Sequence, residues 1–501
     1  MYRHLILAAC LTSLAAISCG DDDDSDVNVT AGSGGSGSGG SGTAGRTSGT
    51  AGSAGKTSTS GSGGSAGRAG SAAGGAGNAG AGKGGTGGKA AGGAGGNAAG
   101  SGGNAGGTST DKKDIVDTAV AAGTFKQLAA ALTKAELVDA LKGAGPFTVF
   151  APTDAAFDAL EAAKPGTVAG LTKEQLGTVL KYHVISGVAI KSSDLKNGQL
   201  AKSLEGTLLG VDLSGDKPKI NGATVITADI EASNGIIHVI DQVLLPPGDI
   251  VDVASANANF SQLTSALTSA GLVSALKGEG PFTVFAPTNA AFAKLASVPT
   301  GDALKAVLQY HVISGAVGPT DLKEGGAAVT LSGSPVLFSL KDGAKINAAG
   351  ITTTNVIAKN GVIHVIDTVI VPPADDIVAT ASKNPDFEQL TAALTSAGLV
   401  ATLQGPGPFT VFAPTDAAFA ALGTAPTGDA LKNVLLYHVV AGAVGSGDLK
   451  AGTVPTQLTN KNLTIDLTDG VKINDAKVST ANVLTKNGII HIVDKVLVPA
   501  N

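Results

Sequence analysis

The sequence predicts an α+β fold built three times in succession, each copy a group of short helices followed by strands, carried behind a long segment that does not fold. Three observations predict it. One phrase recurs three times, as FTVFAPTDAAF from Phe147, FTVFAPTNAAF from Phe282 and FTVFAPTDAAF from Phe409. The residues before each phrase have helical periodicity and those after it have strand periodicity. Glycine is concentrated before residue 110, where 35 of the 72 glycines of the 501-residue chain lie, so the average composition describes two different materials joined together.

Two further elements follow the phrase in every copy, KYHVISG, QYHVISG and LYHVVAG, then NGIIHVID, NGVIHVID and NGIIHIVD. Tyr182, Tyr310 and Tyr437 lie 128 and 127 residues apart, a domain-sized period, so the copies are tandem globular domains and not solenoid units that must stack to survive. Pro246-Pro247 and Pro372-Pro373 mark the junctions, giving expected domains at 111–248, 249–374 and 375–501 with restricted relative motion. The first copy carries seven extra residues around Lys164 to Lys173.

Within a copy, the stretch from Asp114 to Lys142 places apolar residues three and four apart and reads as successive short amphipathic helices. Asp249 and the pair Asp375-Asp376 stand where they can cap the first helix of the next copy. FTVFAP reads as a strand, after which Thr153 or Asp154 caps a helix through Phe157 and Leu160. The remainder reads as strands separated by turns at Asn221-Gly222, Asn234-Gly235, Asn360-Gly361 and Asn487-Gly488.

The N-terminus reads as an export signal, residues 1–18. Arg3 and His4 precede an apolar run from Leu5 to Ile17 that is too short to span a bilayer. Ala16-Ile17-Ser18-Cys19 resembles the lipobox of bacterial lipoproteins, with Ala16 where that family usually has Leu, which makes Cys19 the expected lipidation site. Leu7-Ala8-Ala9-Cys10 fits the box better but leaves almost no apolar run before it. Residues 19–110 then form an expected tether: Asp21 to Asp24 are acidic, and Ala31 to Gly107 is almost entirely Gly, Ser, Ala, Thr and Asn. Such a segment cannot bury enough apolar surface to offset its chain entropy, and as a Gly-rich coil it has an r.m.s. reach of about 50 Å.

Composition excludes several classes. A net charge of -6 with scattered Lys and Arg, no Trp and few aromatics argues against nucleic acid. Both cysteines, Cys10 and Cys19, precede the folding part, which therefore has no disulfide or thiolate metal site. No GxSxG elbow on a strand-to-helix turn, no HExxH and no Walker-type loop with its flanking strand and helix is present, so no catalytic residue, metal or cofactor is expected.

Apart from His4, every histidine falls at one of two motif positions, His183, His311 and His438 or His238, His364 and His491. His364 alternates with Val362 and Ile366 in an apolar run, placing it on a buried face with Asp367 on the other. The strand histidines therefore read as structural, and desolvation should lower their pKa.

The three boxes, in this order and spacing, resemble the fasciclin (FAS1) domain, and the resemblance covers residues 111–501. It implies β-sandwich wedges with helices packed on one side. It also implies cell adhesion or extracellular-matrix binding, with bacterial members secreted or held at the cell envelope. In animal relatives the Tyr-His element and an Asp-Ile pair before the NGxIH box are integrin-binding elements. The first maps onto Tyr182-His183, Tyr310-His311 and Tyr437-His438, and the second onto Asp229-Ile230 in copy one alone, copies two and three having Asn355-Val356 and Asn482-Val483. The expected protein is a monomer tethered to the membrane by lipid, whose three domains act as weak multivalent sites for a cell-surface or matrix protein or polysaccharide. An envelope spacer without a ligand and a polysaccharide-acting or esterase-like enzyme are the alternatives.

Overall fold

In the computed structural model, residues 112–500 are described. The expected signal segment, Cys19 and the Gly-rich tether lie outside them.

Repeat 1 opens with α1 (Ile115–Ala122), whose start is fixed by the Asp114 carboxylate accepting from Asp117 N, and whose end is fixed by Gly123 at φ 75°. Next come α2 (Lys126–Lys134), α3 (Val138–Lys142) and β1 (Phe147–Pro152). Thr153, not Asp154, caps α4 (Asp154–Ala163): its hydroxyl accepts from Ala156 N, while Asp154 turns to Gln127 N at 2.7 Å. After α5 (Lys173–Tyr182) come β2 (Val184–Ser186), β3 (Leu200–Lys202), β4 (Leu208–Asp212), β5 (Lys219–Ile220), β6 (Ala223–Ala232) and β7 (Gly235–Ile240). Repeats 2 and 3 follow the same order, with Asp249 and Asp376 capping their first helices.

The seven strands run β2-β1-β7-β6-β5-β4-β3 across the sheet. All pairs are antiparallel except β1 with β7, where the first and last strands lie parallel with Phe147 opposite Gly235 and Phe150 opposite His238. Two recurring phrases far apart in sequence are thus nearest neighbours in the fold. Parallel pairing buries both strands on both faces, which is why they read as continuous apolar runs.

Two cores result. Val149 and Ala151 of β1 pack beneath the helices with Leu128, Leu132 and Leu180, while Phe150 points the other way, onto Leu209, Ile220 and Val225. Phe150 and Leu209 lie on strands far apart in the sheet order yet share one core, so the sheet curls back on itself as a wedge. The bend is built into β6, whose pairing with β7 shifts register between Val225 and Thr227 and again between Thr227 and Ile230. Ala223 and Val225 therefore face the second core, and Ile230 and Ala232 face the helices.

The extra residues of repeat 1 fold back onto their own domain. Glu161 accepts from Gly166 N and Val168 N at 2.7 and 2.6 Å, and Val168 and Leu171 pack against the helix-side core. Among the described residues no helix is long and apolar enough to cross a membrane.

Candidate functional site

The Tyr-His element sits at the corner where α5 turns into β2. Tyr182 is the last residue of the helix; its hydroxyl donates to Leu208 O at 3.0 Å and accepts from Asn221 Nδ2. Tyr310 and Tyr437 repeat this with Pro335 O and Asn347, and with Asn462 O and Asn474. Tyr182 is 1% exposed and Tyr310 0%, and burial raises the Tyr310 phenol to about 12.

His183, which follows, is equally occupied. Its Nδ1 lies 2.8 Å from Val179 O, and its Nε2 accepts from Leu244 N at 2.9 Å. A carbonyl on one side and an N–H on the other fix the tautomer with the proton on Nδ1. His311 holds Val307 O and Ile370 N, and His438 holds Val434 O and Leu497 N, in the same way. Each ring ties the segment leaving β7 back to the helix corner. Desolvation by burial is the main cause that lowers all three pKa values to about 4.

The strand histidines fasten another loop. His238 Nε2 donates to Ile190 O at 2.8 Å, Nδ1 accepts from Asp229 N, and the ring stacks on Phe150 with centroids 5.6 Å apart. His364 and His491 do the same with Val317 O and Val444 O, stacking on Phe285 and Phe412. His364 shares the second core's face with Ile366, as its alternation indicates. Burial holds His364 and His491 below the ordinary imidazole range. A threonine inside the FTVF phrase completes the clasp: Thr148 Oγ1 donates to Val188 O and accepts from Ile190 N, both at 2.9 Å.

Asp229 lies on β6 at φ 60°, and its carboxylate accepts from Ser192 N at 2.8 Å and from the Ser192 hydroxyl. These bonds, the hydroxyl first, hold its pKa below the usual carboxylate value. Ile230 packs against the helix-side core. Among the described hydrogen bonds none joins Tyr182 or His183 to Asp229 or Ile230, so the two expected elements occupy separate places. No group of three or more His, Cys, Asp or Glu among the described residues is placed to hold a metal ion.

The Asn-Gly boxes do more than turn the chain. Asn234 Oδ1 accepts from Ile115 N at 2.9 Å, Nδ2 donates to Leu141 O and Gly143 O, and its own carbonyl accepts from Phe147 N. One residue thus joins α1, α3 and the entry to β1. Asn360 and Asn487 make the same set. The turns holding Tyr310 and Tyr437 escaped sequence reading because Asn347 and Asn474 are followed by Ala and Asp in place of Gly. The asparagines themselves adopt φ 52° and 53°.

The fasciclin domain family matches residues 123–246, 258–372 and 385–499. Human periostin is 28% identical over 403 residues, covering 78% of this chain and 48% of its own length. Pig transforming growth factor-beta-induced protein ig-h3 is 31% identical over 391 residues, covering 75% and 56%. A Synechocystis sp. protein is 50% identical over 137 residues, 26% of this chain and 73% of that protein. The chain spans about half the length of the two animal relatives. A solved FAS1 domain pair from the insect cell adhesion molecule Fasciclin I has TM-score 0.25 and 17% identity, covering 50% of this chain and 98% of that one. Three copies of the recurring boxes, each on the same seven-stranded wedge and each matched by the family, make this chain a member of the fasciclin domain family with three tandem domains.

Proposed function

We propose that the chain is a surface-tethered adhesion or matrix-binding protein whose three fasciclin domains act together as weak sites, and that it is not an enzyme. The observation that carries this reading is the state of the motif side chains. The Tyr-His and strand histidines of all three repeats spend their polar atoms on backbone groups inside the cores, leaving no imidazole poised as a base or nucleophile. What each repeat offers a partner is its outer surface, and three linked copies raise the effective concentration of a weak contact. Binding of the full chain to whole cells and to matrix proteins and polysaccharides is expected to exceed that of a single repeat by roughly a hundredfold or more. Equal affinities would remove the multivalent part of the reading, absence of binding would favour a spacer, and product release from an ester or polysaccharide would favour an enzyme.

Attachment through a lipid on Cys19 belongs to the same proposal and rests on the lipobox resemblance alone. Mass spectrometry of the N-terminal peptide from cells is expected to show a diacylated or triacylated Cys19. An unmodified terminus beginning elsewhere would leave the domains without this anchor.

A further inference from the structure

Consecutive repeats touch through one recurring contact. The motif Asp-Leu-Lys-x-Gly ends at Gly198, Gly325 and Gly452, each at positive φ. In repeat 1 this turn rests on repeat 2, where Asn355 Nδ2 donates to Gly198 O at 3.0 Å. Pro319 occupies the place of Ser192 and has no N–H, which leaves Asn355 Oδ1 without a partner and its amide turned outward to the neighbouring repeat. In repeat 2 the turn at Gly325 rests on repeat 3: Gly447 N donates to Gly325 O at 3.0 Å, and Ala327 N donates to Asp448 Oδ2 at 2.6 Å. Ser334 Oγ then donates to Lys486 O at 2.7 Å.

The receiving faces are built for close approach. A Cβ on Gly445 would lie 2.2 Å from Gly325 O, one on Gly447 would lie 2.0 Å from Glu324 O, and one on Gly318 would lie 3.1 Å from Gly198 O. Ile357 supplies an apolar contact, 3.4 Å from where a Cβ on Gly210 would sit.

Repeat 1 has the same face, and among the described residues nothing packs on it. The residues there are different. Counting back from Asp194, Asp321 and Asp448, Lys191 stands where repeats 2 and 3 have Gly318 and Gly445, and Ser193 where they have Thr320 and Gly447. Counting back from His238, His364 and His491, Glu231 stands where they have Ile357 and Leu484, and Asp229 where they have Asn355 and Asn482. Lys112 takes the place of Pro247 and Ala374, as its neighbour Lys113 bonds Ser233 through the carbonyl that Gly248 and Asp375 use in the later repeats. Glu231 bridges Lys112 and Lys191, the second at 3.2 Å, and with Lys112 it lines a cleft of about 570 Å³ that also includes Pro146 and Asn234. The corresponding clefts on repeats 2 and 3 are walled in part by the preceding repeat, through Glu205 and Gly206 and through Ser332 and Ser334.

We propose that Lys112, Lys191 and Glu231 close this face of repeat 1 to another fasciclin domain. A second copy of the chain then cannot add head to tail through its turn at Gly452, and the array stays a single chain. The contact between repeats is heterologous: the donating turn and the receiving face are different surfaces, so an unblocked pair of ends would propagate into open chains of molecules. A lysine at the position where repeats 2 and 3 both have glycine blocks close approach, and bringing the linked charges against a neighbour would strip their water without supplying partners.

The full chain with Lys112→Ala, Lys191→Gly, Ser193→Gly, Asp229→Asn and Glu231→Leu carries the repeat 3 residues on repeat 1. Sedimentation equilibrium of this variant is expected to show an average mass that rises with concentration beyond twice that of one chain, while the natural chain holds the mass of one. A variant that stays at single-chain mass throughout, or a natural chain that already assembles through the Gly452 turn, would overturn the proposal. A reciprocal variant guards against a failure to fold: Gly445→Lys with Leu484→Glu puts the repeat 1 residues on repeat 3. Hydrogen exchange at Gly447 and Ala327 is expected to lose at least tenfold in protection there, with the repeat 3 core unchanged. Unaltered protection at both amides would show that these residues do not control the contact and would also overturn it.

Discussion

Replacing Gly361 by alanine is expected to destabilise repeat 2 by about 4 kcal/mol or more, a large share of the stability of a domain this size. A Cβ there would lie 2.1 Å from Phe282 O and 2.9 Å from Ile250 Cδ1. The first contact is with backbone held in the parallel ladder, so relief requires the two central strands to part. Gly235 and Gly488 face Phe147 O and Phe409 O at 2.2 Å in the same way. Gly333 is the fitting comparison: it lies at φ 86° with nothing within 4 Å of its Cβ, and its alanine variant should cost about 1 kcal/mol from local strain alone. Hydrogen exchange resolved by repeat in the full chain measures both, since it reports the opening of each domain separately. Equal costs at Gly361 and Gly333 would mean that the strands separate easily and that close packing is not what the glycine serves.

Acid is expected to weaken all three repeats well before ordinary carboxylates titrate. His183, His311 and His438 have folded pKa values of about 4 against 6.5 for a free imidazole. Between those values the unfolded chain binds a proton that the folded chain refuses. Stability is therefore fully present above about pH 6.5, falls as pH drops towards 4, and changes little further through these groups. The loss amounts to about 3 kcal/mol per repeat, from two and a half pKa units at 1.36 kcal/mol each less what is still untitrated at pH 4. His364 and His491 act in the same direction. His311→Gln should flatten the pH dependence of repeat 2 between pH 6.5 and 4.5 while lowering its stability at pH 7, where Ile370 N loses its acceptor. An NMR titration that finds His311 ionising near 6.5 in an intact fold would contradict the buried, doubly bonded ring.

Family, copy number and element order were legible in the sequence because they depend on local periodicity and on repetition. The caps at Asp249 and Asp376 and the strand character of FTVFAP follow from rules that span only a few residues. The two histidine positions were equally visible as positions. Their chemistry was not, because burial and hydrogen-bond partners come from elsewhere in the chain: Leu244 N reaches His183 across 61 residues, and Ile190 O reaches His238 across 48. The alternating pattern marked the strand histidines as buried, while the Tyr-His pair entered as a binding candidate through the family resemblance, with whether it binds or only packs left open. Only the curled sheet and the returning segment after β7 close over the pair.

The glycine of the Asn-Gly box shows the same division. Sequence alone determined that the chain turns there. That β1 would pass 2.2 Å from its missing Cβ, and that Asn234 would join two helices and a strand, was decided by the parallel pairing of the first and last strands. The charged face of repeat 1 is the clearest case. Lys112, Lys191 and Glu231 look like ordinary surface residues in the sequence, since three positions spread over more than a hundred residues form no pattern. They become one surface only when tertiary structure brings α1's entry, the loop after β2 and strand β6 together, and their meaning rests on how repeats 2 and 3 use the same place.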